Sequence, residues 1–173
     1  MHSSKNRTVT KKEYPLANGV AIISRTNQKG LIVDCNEDFV LASGYERSEL
    51  ICKAHNIVRH PDMPSEAYRD MWATLKAGQS WTALVKNRRK NGDHYWVLAN
   101  AAPIFQDGVA IGYMSVRTAP SRAQIEAADS AYRMFREGRA AGLAIREGQV
   151  VKAGFSLRAW LNKRSIAQRI FAI

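Results

Sequence analysis

Residues 59–64 bring together side chains that are well suited to bind an anionic or polar ligand. Their order is Arg59-His60-Pro61-Asp62-Met63-Pro64. A guanidinium and an imidazole this close can each donate a charge-assisted hydrogen bond, worth about 1.5–3 kcal/mol, to a phosphate or to the polar edge of a ring. The same residues also fit an ordinary turn, in which Asp62 caps the following helix and Arg59 and His60 point to water. The residue types alone leave both interpretations open.

Four tryptophans, at positions 72, 81, 96 and 160, are many for a chain of this length. Trp72 falls on the apolar side of a predicted helix, where packing in the core explains it better than ligand binding. Trp81 begins a predicted strand, and alternation along that strand places residues 81, 83, 85 and 87 on one face. Trp81 and Asn87 can therefore line one cavity, as a flat apolar wall and an amide for the polar rim of a planar ligand.

Two further polar residues beside these elements each have two interpretations. Tyr95 belongs to one of two alternating sets on the next predicted strand, and periodicity does not decide which set faces inward. Asn36 stands where a strand gives way to a helix, so its amide can cap the helix or reach a bound ring.

The sequence gives little support for catalysis, metal binding or nucleic-acid binding. The chain has no Gly-rich phosphate loop, no Gly-x-Ser-x-Gly motif and no metal-ligand spacing, so we expect a binding module without catalytic or metal-ligating residues. The basic run at 86–90 is typical of a nucleic-acid patch, but it falls at a predicted hairpin tip, where a solvated cluster is the simpler interpretation. We therefore expect no nucleic-acid partner. Three histidines, His55, His60 and His94, leave haem ligation open.

The composition predicts one globular domain with an appendage. The chain has 173 residues, of which 46% are hydrophobic and 24% are charged, and this is enough to build a real core. It has no apolar run long enough for a membrane span and no secretory signal, so we expect a soluble chain. Two cysteines, Cys35 and Cys52, are too few for a disulfide scaffold and favour a reducing compartment.

Apolar periodicity and turn residues place these side chains on particular elements. Asn91-Gly92 between two β-rich runs predicts a tight hairpin, and Ser121 with Gln124 predicts a capping box that opens a helix to about Arg139. The order of elements predicts an α+β fold with one five-stranded antiparallel sheet, helices on one face, a C-terminal helix and a basic tail. The predicted strands span 20–26, 31–35, 81–89, 94–104 and 109–118, and helical segments lie at 36–43, 48–51, 54–58 and 65–77.

This order resembles the PAS sensor fold, as do the motifs Asn36-Glu-Asp-Phe39, Ser43-Gly-Tyr45 and Gly112-Tyr-Met-Ser115. The longer motifs at 55–64 and 85–95, with Trp72-Ala-Thr-Leu75 between them, are similar to the flavin-binding PAS domain of bacterial aerotaxis receptors. The resemblance covers roughly residues 14–155.

Light-sensing relatives carry a reactive cysteine where this chain has His55, so a thiol adduct to a flavin is not expected.

The resemblance implies a sensor that binds FAD non-covalently and relays the redox state of the flavin as an oxygen or energy signal. It implies that Arg59, His60 and Asp62 belong to the cofactor pocket. The alternatives are a haem-binding module and a cofactor-free interaction module. The full set of candidate cofactor-binding residues is Asn36, Arg59, His60, Asp62, Trp72, Trp81, Asn87 and Tyr95.

In the resembling receptors the signal passes to a membrane-anchored signalling region and the chemotaxis kinase complex. This implies a position at the cytoplasmic face of the inner membrane. The kinase-control module itself is absent from this chain, so the resemblance is to a sensor portion.

We expect four segments: a flexible N-terminal arm at 1–19, the PAS sensor domain at 20–119, a linker helix at 120–142 and a basic juxtamembrane-like tail at 143–173. The tail has five cations and no acid after Glu147, which predicts weak binding to an anionic membrane surface. An apolar stripe on the linker helix, formed by Ile125, Ala128, Tyr132 and Phe135, must pack on the sheet or pair with a second copy. By resemblance to dimeric receptors we expect a homodimer.

Overall fold

Five strands form one antiparallel sheet in the order β2-β1-β5-β4-β3. The structure is a computed structural model that describes residues 8–154. The strands are β1 (Ala21–Asn27), β2 (Ile32–Cys35), β3 (Trp81–Arg88), β4 (His94–Gln106) and β5 (Val109–Thr118). The predicted five-stranded antiparallel sheet is confirmed. Because β1 pairs with β5, the two ends of the domain meet at the centre of the sheet.

Four helical segments cover one face of this sheet: α1 (Glu37–Ser43), α2 (Arg47–Leu50), a 3-10 helix (His55–Val58) and α3 (Ser65–Lys76). The predicted cap of α1 is present, since Asn36 Oδ1 accepts a hydrogen bond from the Phe39 amide at 3.2 Å. Gly44 ends α1 with a φ of 71°, a conformation that glycine adopts without strain. The core lies between these helices and the sheet, and the fully buried side chains there include Ile22, Ile32, Phe39 and Leu50.

A fourth α-helix, α4 (Arg122–Arg136), covers the opposite face. It begins with the predicted capping box of Ser121 and Gln124. Tyr132 stacks on Trp96 with ring centroids 6.4 Å apart and donates a hydrogen bond to the Leu84 carbonyl at 2.8 Å. The apolar stripe of this helix therefore packs on the sheet of its own chain. Packing on the sheet was one of the two possibilities for the stripe, so the stripe no longer gives a reason to expect a homodimer.

Residues 143–152 form a second, two-stranded sheet, β6 (Leu143–Arg146) and β7 (Gln149–Lys152). The sequence places these residues in a basic tail, because their cations outweigh a short apolar alternation. Both turn residues, Glu147 and Gly148, have positive φ, as the tightest hairpin turns require. Ile145 is buried and Val150 packs against the core. The remainder of the predicted tail, 155–173, lies outside the described residues, and so does the membrane-binding prediction.

The residues before β1 are not free of the domain. The Thr10 amide donates to the Gly92 carbonyl at 2.9 Å and the Tyr14 amide donates to the His94 carbonyl at 2.7 Å. This part of the predicted flexible arm is instead held along the β3–β4 turn, because that turn offers backbone groups that the sheet leaves unpaired.

The basic run at 86–90 is only partly solvated, since Lys86 and Arg88 are buried and Lys90 is exposed, and every cation in it has a partner in the chain. Lys86 pairs with Asp62 at 2.6 Å and Lys90 pairs with Glu49 at 2.7 Å. Arg88 donates to the Ile57 carbonyl, and Arg89 donates to two carbonyls at the end of α1. These contacts therefore hold the β3–β4 hairpin against the helices.

No helix among residues 8–154 has both the length and the apolar character to cross a membrane.

A candidate ligand cavity between the helices and the sheet

A cavity of about 300 Å³ lies between the helical face and the sheet. This volume is at the lower end of the range for small-molecule sites. Strands β1, β3, β4 and β5 supply one wall, and the 3-10 helix and α3 supply the other. The wall is mostly apolar, with Val58, Met71, Leu75, Val85, Ala99 and Ala101 among its residues.

Aromatic rings form much of this wall. Trp81 is 1% exposed, and its indole N–H donates to an Asp70 carboxylate oxygen at 2.7 Å. Trp72 meets the ring of Tyr113 edge-on, with centroids 5.3 Å apart. Rings held in this way give a planar ligand flat surfaces that do not need to rearrange on binding.

Two polar side chains from the predicted set also line the cavity. Asn87 is buried on β3, and a backbone bridge joins its residue to Arg59. The Arg59 guanidinium lies 3.9 Å from the centre of the Tyr68 ring, so a cation–π contact holds it against α3 in the cavity lining. An amide and a cation are therefore both available to a ligand.

A polar cluster of Ser24, His55 and Arg117 completes the wall, and in it Ser24 and Arg117 are buried while His55 is partly exposed. Arg117 is 2% exposed and lies 4.6 Å above the Phe39 ring. Its guanidinium donates to Ser24 Oγ and to His55 Nε2, which is 3.3 Å away. No carboxylate of residues 8–154 forms an ion pair with Arg117, and its Nε has no hydrogen-bond partner there.

The charges of this cluster follow from its geometry. A guanidinium can only donate, so His55 Nε2 must accept, and we assign the ring proton to Nδ1. Burial, together with the charge of Arg117, lowers the pKa of His55 to about 3. Burial also lowers the pKa of Arg117, to about 10. At neutral pH this cluster therefore carries one fixed positive charge, on Arg117, and its hydrogen-bond partners Ser24 and His55 are neutral.

Four of the eight candidate residues line the cavity, namely Arg59, Trp72, Trp81 and Asn87. The inward set on β4 is the one that contains Tyr95 and Ala99, since Trp96 packs against α4. Tyr95 itself is fully buried opposite Asn87 in the strand register and is not part of the lining.

The other three candidates also lie outside the lining, and each has a structural partner instead. Asn36 caps α1 and accepts a hydrogen bond from the Ile23 amide at 2.9 Å. His60 is buried against His94, and its Nδ1 accepts from the Asp62 amide at 3.1 Å. Asp62 pairs with Lys86. Asn36, His60 and Asp62 therefore have structural partners outside the cavity lining, and their role in cofactor binding stays a prediction.

The comparison with known families decides what kind of domain this is. A family model described as the PAS fold matches residues 32–117, from the start of β2 to the penultimate residue of β5. The chain carries a PAS domain. A solved PAS domain from Colwellia psychrerythraea covers 59% of this chain and 87% of its own at 18% identity, with a TM-score of 0.54. A light-oxygen-voltage domain, from work with a flavin analogue, covers 68% and 86% at 22% identity, with a TM-score of 0.55.

The relationship to receptors comes from sequence. The PAS chain is 45% identical over 160 residues to the aerotaxis receptor of Escherichia coli (strain K12). The match takes in 92% of this chain and 30% of the receptor. The resemblance drawn from the motifs is therefore confirmed, and the chain spans about a third of the length of this relative.

Proposed function

We propose that this PAS domain binds the flavin of FAD in the cavity and relays its redox state as the sensor portion of an aerotaxis receptor. The observation that carries the proposal is a buried guanidinium, Arg117, that lines an aromatic-walled cavity and has no carboxylate partner among residues 8–154. A buried cation without a counter-charge is costly, and a ligand that carries or acquires negative charge would offset that cost. The identity to an aerotaxis receptor supports the same assignment.

The donor set fits a flavin. Trp72 and Trp81 offer apolar surfaces to a tricyclic ring, and the Asn87 amide can either donate or accept at its polar edge. When bound, a flavin supplies reversible electron transfer that changes the charge and the hydrogen-bonding pattern of its ring. Arg117 would stabilise added negative charge without moving a proton, because its guanidinium stays protonated. Asn87 would respond by turning its amide, and it lies on a strand that pairs with β4.

The cations at the cavity bear on the choice of flavin. Arg59 and Lys29 both line the cavity, and a diphosphate linker offers such cations charge-assisted partners. We therefore propose FAD as the cofactor. We also infer that this domain signals by binding and does not catalyse a reaction, because its relative is a receptor.

Haem has less support than a flavin. His60 and His94 do not line the cavity, and His55 Nε2 already accepts a hydrogen bond from Arg117. An axial histidine beside a fixed positive charge would be a poor iron ligand, since the two cations repel. Among residues 8–154 no three or more histidine, cysteine or acidic side chains are grouped as a metal site.

The partners of the domain follow from the receptor relationship and are proposals of the same kind. We infer that the domain passes its signal to a membrane-anchored chemoreceptor signalling region and the chemotaxis kinase complex, at the cytoplasmic face of the inner membrane. The proposed attraction of the basic tail to anionic lipid would bring the domain close to that surface.

The purified full-length chain is expected to be yellow and to show the absorption bands of an oxidised flavin. The chemical reason is that an apolar, aromatic cavity of this size retains a planar ring through purification. A visible spectrum, followed by chromatography of the heat-released cofactor, distinguishes FAD from FMN. A Soret band would establish haem, and a colourless protein that does not take up added FAD would establish a cofactor-free module.

Arg59→Ala is expected to weaken FAD binding about tenfold or more, because it removes a charge-assisted hydrogen bond worth about 1.5–3 kcal/mol. Circular dichroism of the flavin-free variant should match the wild type, since a partly exposed cation contributes little to folding. Arg69→Ala is the matched control, because Arg69 is an exposed cation on α3 outside the cavity lining. A variant that keeps its flavin stoichiometry and affinity would remove Arg59 from the site.

A further inference from the structure

Asp70 on α3 connects the cavity wall to the C-terminal hairpin. Its carboxylate accepts three hydrogen bonds: from the Trp81 indole at 2.7 Å, from the Glu147 amide at 2.9 Å and from the Gly148 amide at 2.7 Å. Trp81 and Gly148 donate to the same oxygen, Oδ2. One carboxylate therefore holds both a ring of the proposed ligand site and the turn between β6 and β7. Asp70 itself is not part of the cavity lining.

The turn is fitted closely to the domain at this point. Gly148 has a φ of 82°, and a Cβ at this position would collide with the Thr82 carbonyl on β3. Ile145 is buried on the neighbouring strand of the hairpin. Only glycine lets the backbone approach near enough for the Gly148 amide to reach Asp70. Thr82 directly follows Trp81, so the turn lies against β3 next to Trp81.

We propose that Asp70 couples occupation of the cavity to the seating of the β6–β7 hairpin, through its shared hydrogen bonds with Trp81 and the Glu147–Gly148 turn. The inference rests on the proposed function for the identity of the ligand. A ligand ring packed on Trp81 holds the indole in place against Asp70, and the Asp70 carboxylate then stays in position to accept from the two turn amides. A change in the ligand that shifts Trp81 leaves the carboxylate less firmly held, and its hydrogen bonds to the hairpin become weaker.

The coupling has a definite consequence for the end of the described chain. Ala153 and Gly154 follow directly from β7, so a change in the position of the hairpin also changes their position. Loss of one hydrogen bond to a charged group changes the equilibrium constant for detachment of the hairpin about tenfold. The effect must also be reciprocal, since displacement of the hairpin lowers the affinity for the ligand by the same factor.

Hydrogen exchange at the Glu147 and Gly148 amides tests the first direction in the full chain. We expect exchange to be about tenfold slower with FAD bound than in the flavin-free protein. In Asp70→Ala the two amides should exchange equally fast in both forms, while the flavin spectrum remains. A wild-type protein that binds FAD without any change in these amides would overturn the proposal.

Gly148→Ala tests the reciprocal direction, with Gln149→Ala as the matched control in the same hairpin. Gly148→Ala should lower the affinity for FAD about tenfold in the wild-type background, and it should cause no further loss of affinity in the Asp70→Ala background. Additive losses would mean that Asp70 only stabilises the hairpin, and would overturn the coupling.

A readout without ligand separates this inference from the proposed function. Gly148→Ala should shift the NMR resonance of the Trp81 indole N–H in the flavin-free chain, and Gln149→Ala and the Trp72 resonance serve as references. An unmoved Trp81 resonance would overturn the link even if FAD binds. A shifted resonance in a protein that binds no flavin would retain the link and reject the proposed function.

Discussion

Replacing Trp81 with alanine is expected to lower the free energy of unfolding of the flavin-free domain by about 3–5 kcal/mol. Trp81 is 1% exposed and belongs to the main hydrophobic core, so the substitution opens a large void that neighbouring side chains fill only in part. The indole N–H also satisfies the Asp70 carboxylate, and its loss leaves that acid with the two amides of the turn. This change removes a core side chain and a partly buried hydrogen bond together.

Urea unfolding followed by circular dichroism measures the effect, with the slope of the transition as a check that the unfolded state is unchanged. Trp81→Phe should lose less than the alanine variant, because the ring is retained and only the N–H and part of the volume are lost. Trp72→Ala is the comparison within the cavity, and its loss should be smaller because Trp72 is only partly buried. If Trp81→Ala is too unstable to purify, Trp81→Phe decides the question. A loss below about 1 kcal/mol in both Trp81 variants would show that this wall is not a packed part of the core.

The parts of the fold that local sequence determines were predictable. Asn36 and Gly44 bracket α1 because a capping amide and a left-handed glycine act on the residues next to them. The five strands follow from short apolar runs between turn residues, and Trp81, Val85 and Asn87 share a face because strand alternation is strict. These statements need no knowledge of which strands are neighbours.

The polar cluster in the cavity could not be predicted in this way. Ser24, His55 and Arg117 come from β1, the 3-10 helix and β5, and 62 residues separate His55 from Arg117. Only the pairing of β1 with β5 brings Ser24 next to Arg117. The available signal was a lone arginine among apolar residues in 109–118, and its direction depends on the sheet order.

The turn at 60–62 is a second place where residue type does not give direction. His60 and Asp62 have the chemistry of a ligand site, and in the structure their side chains contact His94 and Lys86 outside the cavity lining. Their role in cofactor binding stays a prediction. Residue type predicted that this segment is specialised without predicting which way it faces. Arg59, one residue earlier, is the member of the motif that lines the cavity.

The domain is expected to lose stability steeply as the pH falls from 6.5 towards 4. Burial lowers the pKa of His55 to about 3, and burial together with the charge of Lys86 lowers the pKa of His60 to about 4. In the unfolded chain both imidazoles take up protons near pH 6.5. The unfolded state then binds more protons than the folded state, so the free energy of unfolding rises with pH in this window. The stabilisation is complete above pH 6.5 and is lost as the pH falls towards the folded pKa values.

Each histidine contributes a slope of about 1.4 kcal/mol per pH unit, so two pH units remove about 5 kcal/mol, comparable to the whole stability of a marginal domain. Urea unfolding at intervals between pH 6.5 and 4.5 measures this slope above the range in which unfolded aspartates titrate. His55→Gln and His60→Gln should each remove a large share of the slope, whatever their effect on stability at pH 7, and His94, whose pKa burial also lowers, contributes to the rest. If the free energy of unfolding is flat across this window, both imidazoles accept protons in the folded state. The Arg117 guanidinium would then not hold His55 Nε2 as a hydrogen-bond acceptor, and the contact between these two side chains would be overturned.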